Sequence, residues 1–270
     1  MPFYFDPDGH RDRQRPPVKT FYIDDSSCVI GGVPHTLLGA ISFWDESPAL
    51  PDIVLVKKQL GLRPEQEIKS NSQEFPKEQR HSITEGMLSI LSHCQGFIVV
   101  TDHGKQRAAV ELTTQLSGFC RGAKMAGFLC RFDKNIVDDP DGFDHHSFHL
   151  DPPCVGWSEA DSSHEPLLQC ADLFVGFQKL RIDMGMGRID PEKLIQVEVY
   201  EGTRAEYPMR WYMHLAFRHC IWGSLEEPQR PGNDWKNNMG LGIRFFSSVP
   251  ELELKQALKY LERDFLGCVH

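Results

Sequence analysis

The sequence predicts an α/β protein with a mixed five-stranded sheet, helices on both faces of the sheet, and a mostly helical C-terminal extension. Two β-rich segments near the start, VKTFYID and PHTLLGAISFW, flank Gly31-Gly32 and indicate an antiparallel hairpin. Later apolar strand patterns alternate with helical patterns, which favours parallel strands joined by helical crossovers. An antiparallel start followed by parallel crossovers gives a mixed sheet.

The elements after the hairpin follow from hydrophobic periodicity. In order, the pattern predicts a short helix from residue 53, a third strand at 66–70, a helix over 76–93, a fourth strand at 96–104, a helix over 106–126, a fifth strand at 128–133, and a helix from residue 166. The fourth strand, GFIVVTDHG, is almost wholly apolar, which is typical of an interior strand buried on both faces. The stretch 134–153 is rich in Asp, Gly and His and is predicted to be a loop.

Composition divides the chain into three segments. Residues 1–17 are charged and contain Pro16-Pro17, so they predict a flexible arm with nothing to bury. Residues 18–182 hold the predicted sheet and its helices and form the core domain. Residues 183–270 form a C-terminal α/β extension packed on that domain, with a strand at IQVEVYE, a helix over 208–222, a loop over 226–242 and a terminal helix over 250–265.

Cysteine usage and charge limit the function classes. The eight cysteines are scattered with no CxxC pair, and no signal or membrane-spanning segment is evident, so the sequence predicts a reduced, cytoplasmic protein. The net charge of -9 argues against a simple electrostatic binder of nucleic acid. Residues 51–134 nevertheless carry twelve basic against nine acidic side chains, so a phosphate-contacting surface is expected from this part.

Acidic residues fall at special places in the predicted order. Asp24 ends the first strand, Asp102 ends the fourth, and Asp172 lies in the first turns of the helix that follows the fifth. If the first and fourth strands are neighbours, Asp24 and Asp102 lie side by side, and the helix brings Asp172 to the same edge. The alternative is that these aspartates cap the helices that follow them.

Clustered carboxylates need a counter-ion. Two like charges about 4 Å apart cost roughly 1 kcal/mol in water and about 4 kcal/mol at an effective dielectric constant of 20. A divalent cation reverses the sign of this energy, and all-oxygen ligation favours Mg²⁺ or Mn²⁺. A pair of such ions activates water and stabilises the leaving oxygen in phosphodiester hydrolysis.

Three motifs resemble a known family. FYIDDSS, EIKS and above all ADSSHEPLLQCADLFVG are similar to the motifs of domain-of-unknown-function family 3800, which is regarded as ribonuclease H-like. The resemblance covers roughly Val18 to Lys179. It implies a ribonuclease H-like fold with a set of acidic site residues. The positions that match are Asp24 for the first acid, Asp172 for the acid of the AD pair, Glu67 with Lys69 for the family's ElK pair, and Asp161 with Ser162 for its dS pair.

Asp133 and Asp25 are two further acidic candidates for the site. Asp102 is placed by fold order more than by motif, and Asp133 at the end of the fifth strand is its competitor. Asp25 stands where the family usually has glutamate. Its carboxylate therefore reaches one methylene less far, which bears on a second metal ion and on catalytic competence.

Several other polar side chains are candidates for metal binding, proton transfer or phosphate contact. His145, His146 and His149 near Cys154 could bind zinc, although a polar loop explains them equally. His103 and His164 are candidates for proton transfer. Lys105 is a candidate phosphate contact, and the alternative is a solvated surface lysine. The aromatic segment 209–222 predicts core packing or a subunit contact.

The leading hypothesis is a Mg²⁺- or Mn²⁺-dependent nuclease acting on DNA or RNA. Asp24, Asp102 and Asp172 would hold the metal ions, with Asp25 or Asp133 auxiliary. Substrate binding is assigned to Lys69, Glu67 and Arg107. Two alternatives remain open: a ribonuclease H-like scaffold without catalysis that binds nucleic acid or a partner protein, and a phosphohydrolase acting on small phosphate compounds. A homo-oligomer through the C-terminal part is a further hypothesis.

Overall fold

The computed structural model of the protein describes residues 18–43, 53–58, 61–63, 66–68, 90–91, 94–200, 203–217 and 243–261. The strands are β1 (Val18–Ile30), β2 (Val33–Phe43), β3 (Cys94–Thr101), β4 (Gly127–Asp133), β5 (Cys154–Ala160), β6 (Leu194–Tyr200), β7 (Thr203–Pro208) and β8 (Ile243–Phe246). The helices are α1 (Lys105–Gly122), α2 (Pro140–Phe148), α3 (Pro166–Gly185), α4 (Met209–Phe217) and α5 (Glu251–Leu258), and residues 53–58 are also helical.

The main sheet has six strands in the order β5-β4-β1-β2-β3-β8. Strand β2 runs antiparallel to both of its neighbours, and every other neighbouring pair is parallel. The β1–β2 hairpin closes through Gly31 and Gly32, whose φ angles of 57° and 78° suit a two-residue turn. Strands β6 and β7 form a separate antiparallel pair. The predicted mixed α/β architecture is therefore confirmed.

The two faces of the sheet carry different helices. Alternate residues of β1 point to opposite faces, so Phe21 and Ile23 pack with residues of α1, whereas Tyr22 and Cys28 pack with residues of α3. We call these the α1 face and the α3 face. Helices cover both faces, as predicted. None of the described helices is long and apolar enough to cross a membrane.

The structure differs from the prediction in three respects. Residues 66–68, predicted within a third strand, have no regular secondary structure. The predicted loop 134–153 contains α2, whose start was signalled by Asp139 at the N-cap and Pro140 at the first helical position. The main sheet has six described strands instead of the five predicted. It contains β5 and β8, which were not predicted, and it lacks the predicted strand at 66–70 over its described residues 66–68. Strand β5 escaped prediction because its sequence, CVGWSEA, is short and half-buried and contains glycine.

The C-terminal segment also differs from the prediction. The strand at IQVEVYE matches β6, but β7 and β8 add two further strands, so the described part is not mostly helical. Strand β8 pairs with β3 inside the main sheet. The proposed boundary at residue 182 falls within α3. The predicted arm 1–17 and loop 226–242 lie outside the described residues.

Close packing of α3 on the sheet depends on small residues beneath it. A Cβ added to Gly96 would lie 2.3 Å from the ring of Phe174, which is fully buried. Gly96→Ala should therefore lower the free energy of unfolding by about 1–3 kcal/mol through overpacking. The matched control is Gly118→Ala in α1, where an added Cβ meets nothing within 4 Å.

Alanine at position 118 should instead stabilise the protein by about 0.5–1 kcal/mol, because glycine is a poor helix former. Chemical denaturation of both variants measures the two changes. Equal effects at positions 96 and 118 would contradict the packing of α3 against β3.

Candidate functional site

Asp24 is a buried acid in the middle of β1. Its side chain is 6% exposed and lies on the α3 face, because it shares the alternation of Tyr22 and Cys28. The backbone N–H of Asp25 donates to Asp24 Oδ1 at 2.6 Å. A carboxyl group this deep is costly unless it is neutralised or paired.

Asp133 lies beside Asp24 on the neighbouring strand. Strands β1 and β4 are parallel, and their pairing places Ile23 opposite Phe132. Both of those residues pack on the α1 face, so the next positions, Asp24 and Asp133, point together to the α3 face. The backbone N–H of Ser162 donates to Asp133 Oδ1 at 3.1 Å.

Asp172 completes a group of three carboxylates. It lies on α3, the helix that packs over β1. Burial, followed by the charges of Asp172 and Asp133, raises the pKa of the Asp24 carboxyl from 3.8 to about 8, against the opposing hydrogen bond from the Asp25 backbone. We call Asp24, Asp133 and Asp172 the carboxylate cluster.

A hydrogen-bond network joins Glu67 to the carboxylate cluster. Ser162 Oγ donates to Glu67 Oε1 at 2.5 Å, while the N–H of the same serine binds Asp133. The Gln169 side chain donates to Ser162 O at 2.7 Å and accepts from the N–H of Ile68 at 3.4 Å. Residues of the EIKS motif and of the ADSSHEPLLQCADLFVG motif are thereby held against the end of β4.

Asp25, assigned an auxiliary role above, points to the opposite face of the sheet. Its Oδ1 lies 2.9 Å from Lys105 Nζ at the start of α1. Arg107, two residues further along the same helix, forms an ion pair with Glu111. Neither Asp25 nor Arg107 thus joins the carboxylate cluster. Lys69 lies outside the described residues.

Asp102 is far from Asp24, and their predicted adjacency is wrong. Strand β2 separates β1 from β3, and the registers place Asp24 level with Ile98, so Asp102 lies roughly 13 Å further along the sheet. Asp102 Oδ2 accepts from Ser248 Oγ at 2.5 Å and from its N–H at 2.8 Å. These bonds lower the pKa of the Asp102 carboxyl. Asp102 therefore holds the turn after β8.

The histidine-rich segment forms part of α2. His145 and His149 are exposed, with ring centroids 4.5 Å apart, and His146 Nε2 lies 3.3 Å from Thr114 Oγ1. Cys154 is buried in β5 and donates to Gly156 O at 3.3 Å. Within the described part of the chain, no three His, Cys, Asp or Glu side chains converge closely enough to hold a metal ion. The zinc alternative gains no support there.

The proton-transfer candidates also lie beside aspartates. His103 Nε2 is 3.4 Å from Asp102 Oδ1, and His164 Nδ1 is 3.8 Å from Asp161 Oδ2. Lys134 Nζ contacts the same Asp161 oxygen at 2.5 Å. This bond, together with those from Ser163, lowers the pKa of the Asp161 carboxyl.

The donor set of the carboxylate cluster fits Mg²⁺ or Mn²⁺. All three ligands would be carboxylate oxygens, which these hard cations prefer over nitrogen or sulfur. Burial, followed by the charges of Asp172 and Asp133, raises the pKa of Asp24, and the charge of a divalent cation would counteract this rise. The cluster therefore suits such an ion by donor chemistry and by charge, although its three carboxylates, like all other such side chains among the described residues, do not converge closely enough in this structure to form a ready-made ligand set.

Comparison with known proteins adds little. The chain matches no protein-family model and no curated protein. It aligns with a chain of a solved structure described as the PCNA:RNase HII complex from Archaeoglobus fulgidus, with a TM-score of 0.36 and 14% identity over 61% of this chain and 74% of that chain. A TM-score this low does not establish a shared fold. The family resemblance from the sequence motifs stays a prediction.

Sequence reasoning ranked Asp133 below Asp102 and missed Gln169. The signal for Asp133 was present, since it ends a predicted strand as Asp102 does. The sequence pattern does not determine the order of the strands in the sheet, because several orders satisfy the same alternation of strands and helices. Gln169 lies inside the motif LLQCADLFVG, but the sequence analysis assigns no role to it.

Proposed function

We propose that this protein is a ribonuclease H-like, divalent-metal-dependent nuclease that hydrolyses phosphodiester bonds in DNA or RNA. The observation that carries the proposal is the buried carboxyl of Asp24, flanked by Asp133 and Asp172 on one face of the sheet. Asp133 takes the place first given to Asp102. A buried carboxyl beside two half-buried carboxyls is costly, and strongly shifted pKa values of this kind cluster at functional sites.

The topology supports the proposal. Strands β1 to β3 form an antiparallel meander, and β4 and β5 add parallel strands on the far side of β1 with helices between them. Ligands of α/β sheets gather where neighbouring parallel strands end. The carboxylate cluster lies where β4 ends beside β1, and α3 supplies the third acid.

The side chains divide into two roles. Asp24, Asp133 and Asp172 would hold Mg²⁺ or Mn²⁺, which when bound neutralises the acids, polarises the phosphodiester and activates water for in-line attack. Ser162 orients Asp133 through its backbone N–H and fixes Glu67 through its hydroxyl. Glu67 is therefore held next to the carboxylate cluster and is not one of the three proposed metal ligands.

Calorimetric titration with Mn²⁺ tests the proposal. The wild type should bind Mn²⁺ saturably, and Asp172→Asn should reduce the affinity at least tenfold. Asp102→Asn is the matched control, because it removes an equal charge from a residue that binds Ser248 away from the carboxylate cluster. Its Mn²⁺ affinity should equal that of the wild type.

Hydrolysis assays complete this test. Fluorescent single-stranded and double-stranded DNA and RNA are incubated with Mn²⁺ and either the wild type or Asp172→Asn. Cleavage by the wild type alone supports the nuclease proposal. Absence of Mn²⁺ binding in the wild type, or equal cleavage by both proteins, counts against it.

A second candidate is a ribonuclease H-like scaffold that binds nucleic acid or a partner protein without catalysis. The observation that favours it is the position of Asp25, which pairs with Lys105 on the α1 face and adds no carboxylate to the carboxylate cluster. Binding of an oligonucleotide without Mn²⁺ binding or turnover would select this candidate.

A further inference from the structure

An open groove lies next to the carboxylate cluster on the α3 face. Its lining includes Thr20 and Tyr22 of β1, Arg131 of β4, Ser158 of β5 and Glu165 at the start of α3, and it holds about 440 Å³. Thr20 and Tyr22 share the alternation of Asp24, and Arg131 shares that of Asp133. The groove therefore continues from the carboxylate cluster along the same strands.

The groove exists because α3 crosses the sheet over β1 and β2 and leaves most of β4 and β5 uncovered. Leu129 on β4 is partly exposed there, and Gly156 on β5 contributes no side chain to the floor. An added Cβ on Gly156 would approach Leu129 to 3.1 Å. The floor is thus a shallow, partly apolar surface.

Arg131 is the cationic group of the groove. Its Nη1 donates to Ser158 Oγ at 2.5 Å, its Nη2 lies 3.5 Å from Glu165 Oε2, and its side chain is 39% exposed. A guanidinium has five N–H donors in a fixed fork that matches phosphate oxygens. Ser158 and Glu165 hold this fork in one orientation at the groove surface.

The spacing suits a polynucleotide strand. Arg131 precedes Asp133 by two residues, which is roughly 6.6 Å along the strand and is comparable with the separation of neighbouring phosphates along one nucleic-acid strand. Glu165 is the N-cap residue of α3, so the partial positive charge of a helix N-terminus also borders the groove. Both features attract phosphate close to the carboxylate cluster.

We infer that this groove binds a single polynucleotide strand flanking the scissile phosphodiester, and that Arg131 binds one of the phosphates of that strand. The inference rests on the proposed nuclease function and names the substrate-binding surface of the same site. Glu165 is the internal competitor of the phosphate, since it occupies Arg131 when no strand is bound. The groove volume of about 440 Å³ suits the backbone of one strand.

Equilibrium binding of a short fluorescein-labelled single-stranded DNA tests the inference. Anisotropy is measured in EDTA, which prevents turnover, over a series of KCl concentrations. Arg131→Ala should weaken binding about tenfold, because it removes a charge-assisted hydrogen bond to a phosphate of the strand. It should also reduce the slope of log K against log salt by about 0.7, the value for one lost phosphate contact on a single strand.

Two further variants sharpen the test. Glu165→Gln should tighten binding severalfold, because it removes the competing carboxylate. Arg121→Ala is the matched control: it removes an equal charge from an exposed arginine bound to Asp151 O, and it should leave both affinity and slope unchanged.

The outcomes of this test and of the nuclease test are separate, because DNA binding is measured in EDTA and does not depend on a bound metal ion. Weaker binding and a smaller salt slope in Arg131→Ala, with both unchanged in Arg121→Ala, support the groove. An unchanged slope in Arg131→Ala, or no DNA binding by the wild type, overturns the groove inference. Failure of Mn²⁺ binding instead overturns the nuclease proposal, and the salt slope still decides the role of Arg131.

Discussion

Asp24→Asn should stabilise the metal-free protein near pH 8, by up to about 5 kcal/mol relative to wild type. The pKa of the Asp24 carboxyl is raised from 3.8 to about 8 in the folded protein, and each unit of difference corresponds to about 1.4 kcal/mol. Between these two values the folded protein keeps a proton that the unfolded chain releases. The free energy of unfolding of the wild type therefore falls as the pH rises from about 4 to 8, and the fall ends above 8.

Asparagine removes this dependence because it does not ionise, and its side-chain oxygen still accepts the N–H of Asp25. Urea denaturation of both proteins in EDTA at several pH values measures the difference between them. The two proteins should have similar stability below about pH 4 and diverge steadily between pH 4 and 8. Subtracting the two profiles cancels the contributions of all other titrating groups.

The control for this prediction is Asp25→Asn, one residue further along β1. That substitution removes a partly exposed ion pair with Lys105, and such pairs contribute about 0–1 kcal/mol. Its stability profile should stay parallel to that of the wild type. Parallel profiles for Asp24→Asn as well would mean that Asp24 does not carry the buried charge of the carboxylate cluster.

The contrast between Asp102 and Asp133 shows what the sequence could and could not predict. Both residues follow apolar strands, and periodicity identified both strands correctly. Which of them neighbours β1 depends on long-range pairing, which local pattern does not encode. The main-sheet order places β4 beside β1 and puts β2 between β1 and β3, so Asp133 stands where Asp102 was predicted and Asp102 instead binds Ser248.

The alternation of side chains along β1 predicts that Asp24 and Asp25 lie on opposite faces of the sheet. Adjacent residues of a strand point to opposite faces, so Asp24 and Asp25 could not both face α3 unless a bulge intervened. The continuous register of β1 with β2 contains no such bulge. The Asp25–Lys105 pair on the α1 face was thus predictable in principle, whereas Arg131 and its groove depend on how far α3 extends across the sheet.

Divalent-metal affinity should depend steeply on pH up to about 8. Below that value the metal-free Asp24 carboxyl holds a proton, which an incoming Mg²⁺ or Mn²⁺ must displace. One displaced proton per ion strengthens apparent binding about tenfold for each pH unit between roughly 6 and 8, and the affinity levels off above 8. Calorimetry in two buffers with different ionisation enthalpies measures both the affinity and the number of protons released.

Asp133→Asn provides the comparison for this pH dependence. Removing the Asp133 charge removes one of the causes that raise the pKa of Asp24, so the levelling point should move to lower pH. The same substitution removes a carboxylate ligand, so the affinity on the plateau should fall. A wild-type affinity that is constant between pH 6 and 8 would show that the ion does not displace a proton from Asp24, and it would remove this residue from the ligand set. A levelling point unchanged by Asp133→Asn would instead show that the charge of Asp133 does not contribute to the raised pKa of Asp24, which burial and Asp172 would then set.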